Sequence, residues 1–171
     1  MKIIMLGAQG TGKGTQGALL AEKLGCNFVS LGDVLRADPI VRAKLASGEL
    51  LSDAEVNDIA LRYLGNNPDS SSNLVFDGYP RRKSQAETLV RANALPDLVL
   101  EIVVPETEII NRMLLRGRED DNETAIRRRL EQYYAERDAI VSVLQSAHVK
   151  ILQVDGLGTP EEVFARIEKL V

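Results

Sequence analysis

The sequence predicts a single α/β domain of three layers, a parallel sheet covered by helices on both faces. Three observations lead there. Short, wholly apolar runs alternate with helix-patterned segments, the arrangement that generates strand–helix–strand crossovers. The first run passes directly through a glycine-rich loop into a helix. The 171 residues include no Trp and only 4% aromatics, so the 44% apolar content is largely aliphatic, which suits a layered core better than an aromatic-rich sandwich.

Taken in order, Lys2 to Leu6 reads as a buried strand and residues 7–14 as a loop opening a helix with Leu19, Leu20, Ala21 and Leu24 on one side. Asn27 to Ser30 reads as a second short strand. Helical turns are expected from Asp33, from Pro39 and from Ser52, where Glu55 three residues on completes a capping box. Residues 66–73, with Pro68, Asp69 and three serines, form the clearest connecting loop. Leu74, Val75 and Phe76 make an apolar run stopped by Asp77 and Gly78, and residues 98–104 make another stopped by Pro105; both suit interior parallel strands. Helices over residues 107–116 and 123–145, a last strand over 149–154 and a closing helix over 160–170 complete the pattern.

Charge and composition narrow the function. A net charge of −4 argues against the broad basic surface that nucleic acids require, so any anion must be gripped locally. Cys26 and His148 are the sole residues of their kinds, which leaves no disulfide and no clustered Cys/His metal site within one chain. The apolar run at residues 3–6 is too short for a signal-peptide core, and no stretch is long enough to span a bilayer, so a reduced, cytoplasmic setting is expected. No apolar stripe is left obviously uncovered, and a monomer is the expected state.

The strongest chemical signal is the run Gly7-Ala8-Gln9-Gly10-Thr11-Gly12-Lys13-Gly14-Thr15, placed between a strand and a helix, the context of a P-loop. Glycines let backbone N–H groups turn inward around phosphate oxygens, the helix N-terminus adds partial positive charge, and Lys13 reaches the terminal phosphates. The usual pattern has Ser or Thr directly after the lysine; here Gly14 intervenes and Thr15 follows. Asp77 closes a buried strand. Such a carboxylate serves either as a turn residue or as a holder of magnesium, and the upstream loop favours the second role. Asp33, near the end of the second strand, is a further candidate. Arg36, Arg81, Arg112, Arg116, Arg118 and Arg129 could supply the guanidinium groups that phosphoryl transfer needs, although any single arginine also serves as a solvated charge. Arg112 and Arg116 are four apart and share a helix face. Arg127, Arg128 and Arg137 are expected to be ordinary surface charges.

These segments carry a family resemblance. The loop from Gly7 to Thr15 with Gln16, the run Ser30-Leu31-Gly32-Asp33-Val34-Leu35-Arg36, the run Asp77-Gly78-Tyr79-Pro80-Arg81 with Gln85, and the pair Asp120-Asp121 occur in the order found in adenylate kinases, so the chain resembles that nucleoside monophosphate kinase family over essentially its whole length. The resemblance implies a five-stranded parallel core, Mg-ATP on Gly10, Thr11, Gly12, Lys13, Gly14 and Thr15 with Arg112 against its base, and AMP as acceptor. It implies an acceptor-binding mobile segment over residues 31–61 in which Leu31 and Leu51 line the base. Arg36 and Arg81 would grip the acceptor phosphate beside Gly78, and Gln85 would pair with the base. Lys13, Arg81, Arg116, Arg118 and Arg129 would act on the transferring group, and Asp33 and Asp77 would orient magnesium through water. Related pyrimidine monophosphate kinases typically carry Asn where Gln85 stands, which favours AMP over UMP or CMP.

The departures from the family pattern are Gln9 for a usual Pro, Leu31 for a common Thr, and Arg82 for a small polar residue. Only Gly117-Arg118-Glu119 separates Arg116 from Asp120, so a minimal lid at residues 116–122 is expected and no zinc. Three rivals stay open at this level: a UMP- or CMP-type monophosphate kinase, a P-loop kinase for a non-nucleotide acceptor such as a small acid or sugar, and an ATP-binding sensor module that transfers nothing.

Overall fold

The computed structural model describes residues 1–46, 51–65, 73–117 and 122–171. Five strands, β1 (Lys2–Leu6), β2 (Asn27–Ser30), β3 (Leu74–Asp77), β4 (Leu98–Val103) and β5 (Lys150–Asp155), form one sheet in the order β2-β3-β1-β4-β5. Every pairing is parallel. The helices are α1 (Lys13–Leu24), α2 (Leu31–Ala37), α3 (Pro39–Ala46), α4 (Asp53–Leu64), α5 (Lys83–Arg91), α6 (Glu106–Arg116), α7 (Glu123–Ser146) and α8 (Pro160–Glu168). The five-stranded parallel core expected from the sequence is present.

The apolar runs form strands because both faces of the sheet are buried, and alternate residues serve opposite cores. Ile3, Met5, Leu100 and Ile102 pack with residues of α1, α6 and α8, whereas Ile4, Leu6, Phe76 and Val99 pack with residues of α4 and α5. Helix α7 serves both: Ile126 and Leu130 near its start join the first cluster, and Ile140 and Leu144 near its end join the second.

Two local readings shift. Helix α2 starts at Leu31, two residues before the expected Asp33, because the Ser30 hydroxyl accepts from the Asp33 N–H and caps the helix there. The Ser52–Glu55 capping box forms as expected and starts α4. Most of the anticipated loop at 66–73, and residues 118–121 of the anticipated lid, lie outside the described residues. Among the described residues, no helix is long and apolar enough to cross a membrane.

From β1 the chain crosses outward through α1 to the edge strand β2, whereas from β3 it crosses to the other side of β1, reaching β4. Connections therefore leave in opposite directions at the carboxyl ends of β1 and β3. That point opens a crevice, the usual place for a ligand in an open parallel sheet.

Candidate active site

The loop after β1 fills one side of this crevice. Its glycines are required by space as well as by conformation: Gly7 and Gly10 have φ of +142° and +87°, and a Cβ on Gly10 would lie 2.7 Å from Met113 Cγ. Thr11 is buried and donates from its hydroxyl to the Ala8 carbonyl at 2.9 Å, which ties the loop to itself. Gly12 precedes α1 without any side-chain cap, so the first N–H groups of the helix are not consumed by one.

Lys13 is half-buried and donates to the Ala8 carbonyl at 2.6 Å. Burial drives its pKa down to about 8; Asp77 opposes this, while Arg81 and Arg116 reinforce it. These couplings place the carboxylate of β3 and the end of α6 within electrostatic reach of the ammonium. Gly14 faces the same carboxylate, since a Cβ there would lie 3.9 Å from Asp77 Oδ2. Thr15 is exposed on the first turn of α1.

Asp77 closes the other side of the crevice. Burial raises its pKa, against the pull of Lys13, Arg81 and the Gly78 N–H, and the negative charge of Asp33 adds to the rise. Its Oδ1 is buried without a hydrogen-bond partner. A buried carboxylate oxygen left unmatched beside a phosphate-type loop suits a magnesium ion or its hydration water, so the donor set fits such an ion.

Beyond Asp77 the acceptor candidates converge. A Cβ on Gly78 would come within 3.3 Å of Arg81 Nη2 and 3.5 Å of Leu31 Cβ, and one on Gly32 within 3.4 Å of both terminal nitrogens of Arg36. Glycine at both positions thus leaves a cradle under two guanidinium groups. Arg36 is paired with Asp33 in an exposed bridge, and Arg81 donates from Nε to the Gly78 carbonyl at 2.9 Å. Desolvation in the cleft comes first in lowering the Arg81 pKa, with Asp77 opposing and Arg36 reinforcing. Gln85, buried on the first turn of α5, accepts from the Arg81 N–H at 2.7 Å. Leu31 is buried beside the cradle, and Leu51 is half-buried one residue before the cap of α4.

The remaining arginines divide. Arg112 is held by Glu108 at 2.7 Å and by the Gly156 carbonyl at 3.0 Å, so it lies against the loop between β5 and α8. Arg116 ends α6, Arg129 is half-buried on α7, and Arg118 lies outside the described residues, as do Asp120 and Asp121. Arg127 is the exposed charge that was expected, pairing with Glu106 and Glu123.

Arg137 is not. It binds Glu101, which is only 2% exposed, through Nε at 2.6 Å and Nη2 at 2.5 Å, and Tyr133 (3.1 Å) and Gln153 (3.0 Å) complete the cluster. The reading of Arg137 as a solvated charge is therefore corrected: a buried carboxylate requires a matched cation. Although burial pushes it upward, Arg137, Gln153 and Tyr133 together hold the Glu101 pKa below the usual range. The available signal was Glu101 itself, the one charge inside the apolar run at 98–104. The cluster borders a cavity of about 330 Å³ between β4 and α7, behind Ala8 and Thr11 of the glycine loop.

Comparison with known proteins agrees with this geometry. The family model described as adenylate kinase matches residues 5–149. The chain is 40% identical over 182 residues to an adenylate kinase of Thermus thermophilus, covering 96% of this chain and 94% of the relative. It is 37% identical over 178 residues to one of Nocardia farcinica (97% and 96%) and 33% identical over 183 residues to one of Bacteroides thetaiotaomicron (98% and 96%). A glycine loop of P-loop form, a buried carboxylate and a paired-arginine cradle at one switch point accompany whole-length similarity, which leads to one conclusion: the chain belongs to the adenylate kinase family.

Proposed function

We propose that this protein transfers the γ-phosphoryl group of Mg-ATP to AMP, giving two ADP. The observation that carries the reading is the convergence of Lys13, Asp77, Arg81 and Arg36 on one crevice, with the glycine loop on one side and the Gly32–Gly78 cradle on the other.

In the ligand-free state Lys13 is held by the Ala8 carbonyl. Arrival of the triphosphate gives its ammonium a far stronger anionic partner, and it rotates onto the terminal phosphates. Gly10, Gly12, Gly14 and Thr15 present backbone N–H groups to the phosphate chain, buried Thr11 keeps the loop in shape, and Arg112 with the Gly156 loop flanks the ATP base. The acceptor phosphate lies under Arg36 and Arg81. Releasing Arg36 is easy, because an exposed pair such as Arg36–Asp33 contributes only about 0–1 kcal/mol and a phosphate dianion outbids it. Gln85 and the Leu51 backbone meet the adenine edge while Leu31 packs on its face. Asp77, with Asp33, would hold magnesium through its water shell; when bound, that ion neutralises charge on the ATP phosphates. Arg116, Arg118 and Arg129 meet the equatorial oxygens of the group in flight. No covalent intermediate and no dedicated base is needed, since alignment and charge stabilisation supply most of the acceleration.

Two moving parts belong to this reading: the segment over residues 31–61, which folds over the acceptor, and the short lid over 116–122, which excludes water. The protein works as a cytoplasmic monomer on small nucleotides. Its test is to mix purified protein with Mg-ATP and, separately, AMP, UMP, CMP and GMP, following diphosphate formation with and without a diadenosine bisubstrate analogue. Rapid ADP formation from AMP, blocked by the analogue, is expected. Faster turnover of UMP or CMP, or tight ATP binding with no transfer to any acceptor, would overturn it.

A further inference from the structure

The side chain of Gln85 has two carbonyl lone pairs and two N–H groups, and turning it over exchanges them. A freely turning amide reads either order of acceptor and donor, so by itself it separates purines poorly. Adenine presents a donor at N6 and an acceptor at N1; hypoxanthine and guanine present an acceptor at O6 and a donor at N1.

Here both ends of the amide are engaged. Oε1 accepts from the Arg81 backbone N–H at 2.7 Å, a group that can only donate. Nε2 lies 3.4 Å from Asp53 Oδ1, on a carboxylate that accepts. Asp53 opens α4 and is itself held: Arg82 Nη1 reaches both its oxygens at 3.1 Å, and the Ser84 hydroxyl lies 3.4 Å from Oδ2. Nearby, the buried Tyr79 hydroxyl lies 2.7 Å from Asn57 Oδ1 and 3.1 Å from the Gln85 carbonyl, fixing the backbone from which the amide projects.

We propose that Asp53 is a positioning residue that sets acceptor specificity: with the Arg81 N–H, its carboxylate locks the Gln85 amide in the orientation whose remaining lone pair and N–H match adenine and oppose a 6-oxopurine. The proposal rests on the assignment of Gln85 to the acceptor base made above. Turning the amide over would set N–H against N–H at Arg81 and carbonyl against carboxylate at Asp53, so a 6-oxopurine must either bind mismatched or break both contacts. Arg82, which stands where the family favours a small polar residue, pairs with Asp53 on its exposed side, a weak interaction that touches neither end of the amide, so the lock does not depend on it.

The experiment compares kcat/KM for AMP and for inosine monophosphate at saturating Mg-ATP. The two acceptors have the same ring size and opposite hydrogen-bonding order, so steric exclusion does not enter. Asp53→Asn is expected to lower the AMP-to-IMP ratio about tenfold, the scale of one lost hydrogen-bond preference, through KM and with kcat for AMP within about twofold of wild type. Arg82→Ala removes the exposed anchor but leaves both amide contacts, and should keep the ratio. A wild-type ratio in Asp53→Asn overturns the proposal. So does an Arg82→Ala ratio as low as that of Asp53→Asn, because the effect would then come from tethering α4 to α5. Gln85→Ala separates the two layers: if it leaves the ratio intact, the base-reading role of Gln85 is wrong and the lock falls with it; if it collapses the ratio while Asp53→Asn does not, only the lock is wrong.

Discussion

Lys13 is expected to weaken the fold that it equips for catalysis, and Lys13→Met measures by how much. Its pKa falls from 10.5 to about 8, chiefly through burial. That drop corresponds to about 3 kcal/mol of penalty on the charged form in the folded state. Methionine keeps the length of the side chain and removes the charge, but it also removes the hydrogen bond to the Ala8 carbonyl, worth about 1.5 kcal/mol for a charged donor. The difference leaves the ligand-free variant more stable than wild type by about 1–2 kcal/mol at pH 7. The unfolded lysine keeps its proton up to about pH 10, whereas the folded one releases it near pH 8. Between those values the unfolded state binds more protons, so the penalty is full below pH 8 and wild-type stability rises relative to the variant as pH climbs toward 10.5. Urea unfolding of both proteins at pH 7 and pH 10 without nucleotide tests this, with Mg-ATP as a further arm in which wild type gains much more than the variant. Turnover of the variant should fall by several orders of magnitude. A variant no more stable than wild type at pH 7, or a gap that does not change with pH, would refute the claim that burial of this charge is the cause.

Two further outcomes follow from the same geometry. Asp77→Asn should leave the fold at least as stable at neutral pH in urea unfolding, because burial disfavours the charged form of this carboxylate and the amide carries no charge, while lowering kcat by about 100-fold or more and flattening the dependence of rate on magnesium concentration in steady-state assays over a magnesium titration. Arg137→Ala should destabilise the protein by about 3–5 kcal/mol in urea unfolding, since it strands the buried Glu101 carboxylate, whereas replacing Glu101 and Arg137 together by leucine should recover most of that loss.

What the sequence disclosed was local, and what it concealed was long-range. The strands were legible because burial on both faces writes itself as an unbroken apolar run, and the glycine loop because its chemistry lies within nine consecutive residues. The start of α2 is not legible because Ser30, which does end strand β2 as its sequence suggests, also caps the helix that follows it directly. Glu101 and Arg137 are 36 positions apart, and Asp53 and Gln85 are 32 apart; nothing in either neighbourhood announces the other partner. A lone charge in an apolar run was the single visible hint, and it pointed to Glu101 without naming Arg137. The arginines show the same limit: Arg127 and Arg137 look alike in the chain, and only packing makes one a solvated charge and the other the counterion of a core residue.

The anchoring of α7 gives Glu101 a reach well beyond its own surroundings. Arg137 fastens the helix to β4, and Arg129 lies eight residues nearer its start, about 12 Å along the axis at 1.5 Å per residue. A tilt of about 5° about that joint, which Ile126 and Leu130 on either side of Arg129 resist from the core, would carry Arg129 sideways by about 1 Å, an error that in the proposed role of Arg129 can cost on the order of a hundredfold in rate. On the proposed role of Arg129, a carboxylate outside the nucleotide site thereby helps set the aim of a guanidinium within it, and substitutions in either core that tilt the helix should register as slow transfer well before they register as an unfolded protein.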